Sequence, residues 1–228
     1  MEEEFHYKDT ILKVKSDIDI SDKVKRLITQ NRQELEAYIA EQPEFETSLK
    51  PLKLLKDAPP IAKTLASAAE PFDVGPLAAV AGATSERIAA ESEEWGAKWI
   101  IVENGGDICI RGDKKFTISI YAGDSPLSNK IGFIINPGKA TYGICTSSAS
   151  VGHSISFGEA DAVTVCAKST SLADAAATAI ANEVKGEGGI SKGLSLTKRF
   201  SGQIDGVLII KGDKIGTAGK LPELIRLG

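Results

Sequence analysis

Between Ala162 and Val184 the chain changes its hydrophobic period. Ala162 to Ala167 is a short apolar run rich in β-branched residues and predicts a buried strand. From Leu172 the pattern is helical. Leu172, Ala176, Ile180 and Val184 recur every four residues, and Ala173, Ala177 and Ala181 widen the stripe. Ser169, Thr170 and Ser171 stand between the two elements, each able to accept a hydrogen bond as an N-cap. On the polar face Asp174, Thr178 and Asn182 are again four apart and so lie one above the other.

The rest of the chain alternates strand pairs with helices. Phe5 to Ile20 predicts a hairpin turning at Lys8-Asp9, and Ser21 is placed to cap a helix that Pro43 ends. Leu49 to Pro60 reads as a connector and Ile61 to Ala69 as a short helix. After the break at Phe72-Asp73-Val74-Gly75-Pro76, a helix runs from Leu77 to about Trp95. It opens with six small residues, Ala78 to Ala83, which either admit a flat ligand or allow close packing on a sheet. Strands are expected at Trp99 to Val102, from Ile108, at Phe116 to Tyr121, Ile131 to Ile135, Tyr142 to Thr146 and Val207 to Ile210. Gly186 to Gly193, with four glycines, reads as a loop.

Arg111-Gly112-Asp113-Lys114 and Lys211-Gly212-Asp213-Lys214 are similar turns 100 positions apart, each read as a hairpin. They suggest an internal duplication. The expected fold class is α+β: one domain, 1–228, of two pseudo-repeated halves, 1–122 and 123–228, each an antiparallel sheet with helices.

With 228 residues, 42% apolar and 25% charged, the chain can form one sizeable core without staples. A net charge of −4 argues against general nucleic-acid binding. Cys109, Cys145 and Cys166 are scattered, odd in number and without metal-ligand spacing, and they suit a reducing compartment. The acidic start MEEEFHYK lacks the apolar run of a signal peptide, and no stretch is long enough to span a membrane, so the expected location is the cytoplasm. The expected partner is a small molecule, and homo-oligomerisation is left open.

Candidate chemistry gathers in three places. Asp174 and Thr178 offer two hard oxygens on successive turns to a cation such as Mg²⁺. Ser171-x-x-Asp174 equally resembles a capping box, with Asp174 serving its own helix. Gly105-Gly106-Asp107 allows either an anion-binding turn or a plain hairpin. Thr146, Ser147, Ser148 and Ser150, beside Gly152 and His153, form a polar stretch suited to a phosphate-bearing ligand, and His153 reads equally as a solvated loop residue. Cys145 directly precedes that stretch.

Ala173-Asp174-Ala175-Ala176-Ala177-Thr178-Ala179 after a VTV-type strand resembles the A-D-A-x-x-T-A motif of the ApbE-like superfamily, the Mg²⁺-dependent flavin transferases. Gly105-Gly106-Asp107 is similar to the N-x-G-G-D segment, with Glu103 in the Asn position. Thr146-Ser147-Ser148 resembles T-S-G, and Asp73-Val74-Gly75-Pro76-Leu77-Ala78 the start of D-x-G-x-x-A-K-G. The Lys of that last segment falls on Ala79 or Ala81, and the Asp beyond it on Thr84 or Glu86.

The resemblance implies a T-fold-related architecture and Mg²⁺ held by Asp174 and Thr178. It further implies FAD contacted by Gly75, Ala78, Gly82, Gly105, Gly106, Asp107, Thr146 and Ser147, with His153 and Cys145 as catalytic candidates. The implied activity moves the FMN half of FAD onto a Ser or Thr of a protein acceptor and releases AMP, with FAD pyrophosphatase chemistry as a variant. Two rivals stand beside it: an accessory protein of sulfur assimilation and homocysteine synthesis using Cys145, and a non-catalytic ligand-binding protein.

Overall fold

The computed structural model describes residues 1–8, 10–149 and 158–228. Among these, the chain forms β1 (Glu2–Tyr7), β2 (Thr10–Ser16), α1 (Ser21–Glu41), α2 (Glu44–Thr47), α3 (Pro60–Ala69) and α4 (Val80–Glu91). It continues through β3 (Trp99–Asn104), β4 (Asp107–Gly112), β5 (Phe116–Ser119), β6 (Ile131–Ile135), β7 (Gly138–Ser147) and β8 (Ala162–Ala167). Then follow α5 (Thr170–Glu183), α6 (Gly189–Arg199), β9 (Gly206–Lys211), β10 (Lys214–Gly219) and β11 (Glu223–Arg226).

Eight strands form one antiparallel sheet in the order β1-β2-β3-β4-β7-β8-β9-β10, and β11-β6-β5 form a second, smaller sheet. Strands from both halves of the chain therefore share one sheet, joined where β4 pairs with β7. Residue alternation sends the side chains of β7 and β8 to opposite layers. Cys145, Val163 and Val165 pack under the helices, whereas Ile144, Ala162 and Cys166 pack under the small sheet. β8 is buried along its whole length for that reason, which is why its sequence is apolar but for Thr164.

The two similar turns differ in structure. Lys211 pairs with Lys214 around a two-residue turn led by Gly212 (φ 62°), a true hairpin. The Arg111 to Lys114 turn joins no hairpin, because β4 pairs with β3 and β7 while β5 crosses to the small sheet. Gly112, at φ 127° and with no room for a Cβ beside Trp99, lets the strand leave. Arg111 is buried, donating to the carbonyls of Ala89 (3.2 Å) and Ala97 (2.7 Å) and to the Ser92 hydroxyl (3.1 Å) at the end of α4. The likeness of those two turns is one of sequence and not of structure.

Three further expectations shift. The Asp19 carboxylate, rather than Ser21, accepts the N–H that opens α1, from Ser21 itself at 3.0 Å. The helix expected from Leu77 begins as a 3₁₀ turn, Pro76–Ala79, and becomes α4 only at Val80. The glycine-rich stretch runs into helix α6 from Gly189, and a Cβ on Gly193 would stand 2.8 Å from Val184 and Ile209. There the glycine serves close packing.

Candidate functional site

The site grows from the contact of α4 with α5. Asp174, on the second turn of α5, aims its carboxylate away from its own helix. Oδ2 accepts the Gly82 N–H at 2.8 Å, and the Ala81 N–H also donates to this carboxylate. These are orphan donors at the start of α4, so Asp174 caps the neighbouring helix and not its own. That corrects the capping-box reading.

The arrangement is reciprocal. Glu86, on α4, accepts the Ser171 N–H at 2.9 Å and the Ser169 hydroxyl at 3.0 Å at the start of α5. Ser169 also caps α5 directly, accepting from the Leu172 N–H at 3.4 Å. Each helix thus supplies an acceptor for the free N–H groups at the start of the other.

Gly82 makes this approach possible. A Cβ there would stand 2.5 Å from the Thr170 carbonyl oxygen and 2.7 Å from the Asp174 Cβ. Its N–H is taken and its bare side faces α5, so Gly82 is a packing residue rather than the expected cofactor contact.

Asp107 arrives from the sheet. Gly105 (φ 62°) and Gly106 (φ 103°) form a two-residue turn with both residues left-handed, pairing Asn104 with Asp107. The turn swings the Asp107 carboxylate to the helix side, where it accepts from the Thr146 N–H and the Cys145 thiol. The Asp107 carbonyl accepts the Ser85 hydroxyl at 3.0 Å. Burial pushes the Asp107 carboxyl up to about 7. Burial, and then the charge of Asp107, raise that of Asp174 well above the ordinary carboxylate range.

Asp107, Asp174 and Thr178 line one cleft of about 310 Å³, together with Gly75, Ala78 and Ala81. Five of the residues expected to hold metal or cofactor meet there: Gly75, Ala78, Asp107, Asp174 and Thr178. Gly105, Gly106 and Thr146 do not: they line a second cleft, of about 610 Å³, between the large sheet and the small one. Thr146 alternates away from Asp174, and its hydroxyl meets that of Thr164 at 2.9 Å. Ser147 is buried next to it on β7. His153 lies outside the described residues.

Cys145 is fully buried, with its thiol 3.3 Å from the Thr170 carbonyl oxygen. Burial first, then the charges of Asp107 and Asp174, push that thiol well above its ordinary value. A reactive cysteine needs the opposite, an exposed thiolate near cations. This corrects the assignment of Cys145 as a catalytic residue.

The donors suit a small hard cation. Two buried carboxyls that disfavour each other's ionisation are relieved by a positive charge between them, and Thr178 adds a hydroxyl. No group of three His, Cys, Asp or Glu side chains is placed to hold a metal among the described residues, so no all-protein cage is present. One or two carboxylates completed by phosphate oxygens and water is the pattern of Mg²⁺. Of the two alanines at the expected Lys position, Ala79 is fully buried and Ala81 lines the cleft, so the missing cation is missing at Ala81.

The sequence pattern gave no sign that Glu86 caps α5, beyond placing an acidic residue one turn after Gly82. Its target, the Ser171 N–H, is 85 positions away.

Among the described residues no helix is long and apolar enough to cross a membrane. A UPF0280 protein of Methanococcus aeolicus is 44% identical over 97% of this chain and 92% of its own length. One of Methanocaldococcus jannaschii is 47% identical over 90% and 84%. Among solved structures, the flavin transferase ApbE from Vibrio cholerae matches with a TM-score of 0.55 over 96% of both chains at 16% identity. The ApbE protein of Thermotoga maritima matches with 0.58 over 96% of both at 12% identity. At such identities the likeness concerns the fold, which is that of the ApbE proteins. The family model described as "AbpE bacteria" matches residues 3–195, and the chain belongs to that family, within the ApbE-like superfamily.

Proposed function

We propose that this protein binds FAD, or a related nucleotide diphosphate, with Mg²⁺ in the cleft of Asp107, Asp174 and Thr178, and transfers FMN to a protein hydroxyl. The observation that carries the reading is the pair of buried carboxyls facing one cleft, an arrangement that is costly without a cation. Asp174 and Thr178 would hold the metal, and the N–H groups of Gly105 and Gly106 would reach the diphosphate from the adjoining turn. When bound, the metal offsets charge on the phosphate oxygens.

In the transfer, an acceptor oxygen bonds to the flavin-side phosphorus, the bond to the bridging oxygen breaks, and AMP leaves. The acceptor proton passes to a base. Asp107, a carboxylate lining the same cleft, is the group assigned to take it. Ala81 supplies no cation, and a charged hydrogen bond of ~1.5–3 kcal/mol is forgone relative to the family's Lys. The expected affinity for FAD is lower by roughly 10- to 100-fold on that account.

Calorimetric titration of FAD, with and without Mg²⁺, tests the reading. Metal-dependent binding is expected. No binding in Mg²⁺ would end the flavin reading for this chain. Binding without AMP release in the presence of acceptor would leave a ligand-binding protein instead of a transferase.

A further inference from the structure

The second cleft has two walls of different kinds. From the large sheet it is lined by alternate residues, Glu103 with Ile101 on β3 and Thr146 with Ile144 on β7, so that wall is a sheet face. From the small sheet it is lined by five consecutive residues, Thr117 to Tyr121. Side chains of consecutive strand residues cannot all point one way. Ile118 and Ile120 turn inward and are buried, whereas Thr117, Ser119 and Tyr121 are exposed on the outer side, Tyr121 by 55%. What those three present to the cleft is main chain.

The hydrogen bonding agrees. β5 is the last strand of its sheet and pairs only with β6. The Ile120 N–H donates to Ile131 and its carbonyl accepts from Asn129. The same alternation turns the main-chain groups of Ile118 toward β6, and those of Thr117, Ser119 and Tyr121 toward the cleft. Among the described residues no strand takes up that edge. It runs about 16 Å at ~3.3 Å per residue.

We infer that this edge is the docking site for an extended segment of a partner polypeptide, which adds as a fourth strand beside β5. Resting on the transferase reading, the partner is the acceptor protein, and its Ser or Thr is carried past the Gly105-Gly106 turn toward Asp107. Among the described residues that row of N–H and C=O groups has no partner strand, and such a row is matched by another extended backbone and by neither a helix nor a flat ring. The charged residues of the cleft are one Lys15 and one Glu103, so its net charge is zero. That suits an uncharged peptide and not a polyanion.

The test passes a mixture of end-capped random heptapeptides with a central Thr over the immobilised full-length chain, with and without FAD and Mg²⁺. A subset should be retained. Retention should fall at least tenfold in Ser119→Pro and Thr117→Pro, where proline removes only cleft-facing N–H groups, a place edge strands tolerate it. Ser119→Ala should bind as wild type, since that side chain points outward. N-methylation of a retained peptide should abolish binding at every second residue only, a readout that leaves the protein untouched if a proline variant misfolds. No retained peptide, retention unchanged in both proline variants, or N-methyl effects without a period of two would overturn the inference. FAD titration of the same proteins separates the two ideas. Peptide retention without FAD binding would sink the flavin reading alone, and FAD binding without retention would sink the docking edge alone.

Discussion

Replacing Asp174 separates two roles that coincide in one carboxyl group. Asp174→Ala removes the acceptor of two buried N–H groups at the start of α4, those of Gly82 and Ala81. Loss of a helix cap costs about 0.5–2 kcal/mol, and a buried donor left unsatisfied about 1–3 kcal/mol. The two figures describe the same bonds and do not add. Against them stands the removal of a carboxyl that burial and Asp107 both disfavour. The net cost is therefore about 1–3 kcal/mol. Asp174→Asn keeps a carbonyl oxygen in the capping position and should stay within about 0.5 kcal/mol of wild type, but it cannot ionise. In a chain of this length 1 kcal/mol is about 2–4 °C, so the alanine variant should melt roughly 3–10 °C below the asparagine variant without ligand. Both should lose the Mg²⁺-dependent part of FAD binding in calorimetry. Equal melting temperatures for the two variants would remove the trans-capping role. Full Mg²⁺ dependence in Asp174→Asn would remove the metal role.

Three other outcomes follow from the same geometry. Gly82→Ala should destabilise by about 1–3 kcal/mol through overpacking against Thr170, despite a helix-propensity gain of about 1 kcal/mol; a raised melting temperature would show that α4 and α5 do not pack this closely. The Asp107 carboxyl, held at about 7 against an ordinary 3.8, keeps its proton in the folded chain where the unfolded chain has released it. Its contribution is thus complete below about pH 4 and is lost as the pH rises through about 7. Mg²⁺ should consequently raise the melting temperature more at pH 8 than at pH 5, and a pH-independent shift would count against a cation between the carboxyls. Cys145→Ala should cost about 1–2 kcal/mol as a small cavity and leave FAD affinity within about twofold, whereas loss of binding in calorimetry would give the thiol a direct role.

Local pattern was sufficient wherever a short segment decides its own structure. The strand Ala162 to Ala167 carries its burial in its composition, and the α5 helix its face in a four-residue period. Ser169 caps that helix from three residues away. The Gly105-Gly106 turn was legible because two adjacent left-handed residues need glycine. Of the residues named for the site, Gly75, Ala78, Asp107, Asp174 and Thr178 share one cleft.

What local pattern could not decide is which face, and which partner, each residue meets. Thr146 and Cys145 are neighbours in sequence and lie on opposite sides of the sheet, one in the wider cleft and the other sealed beneath α5. Arg111 looked like a turn residue and is a buried cap of α4, because β4 continues into a different sheet than its turn suggested. Gly193 looked like loop and lies in helix α6, where Val184 and Ile209 leave no room for a side chain. Asp174 looked like a cap for α5 and instead holds α4, while Glu86 of α4 holds α5. The sequence alone determined elements such as β8, α5 and the Gly105-Gly106 turn, since period, caps and turns act over a few residues. Only the tertiary structure decided the pairing of α4 with α5 and the layering of two sheets, because contacts across some 90 positions depend on packing that no short window contains.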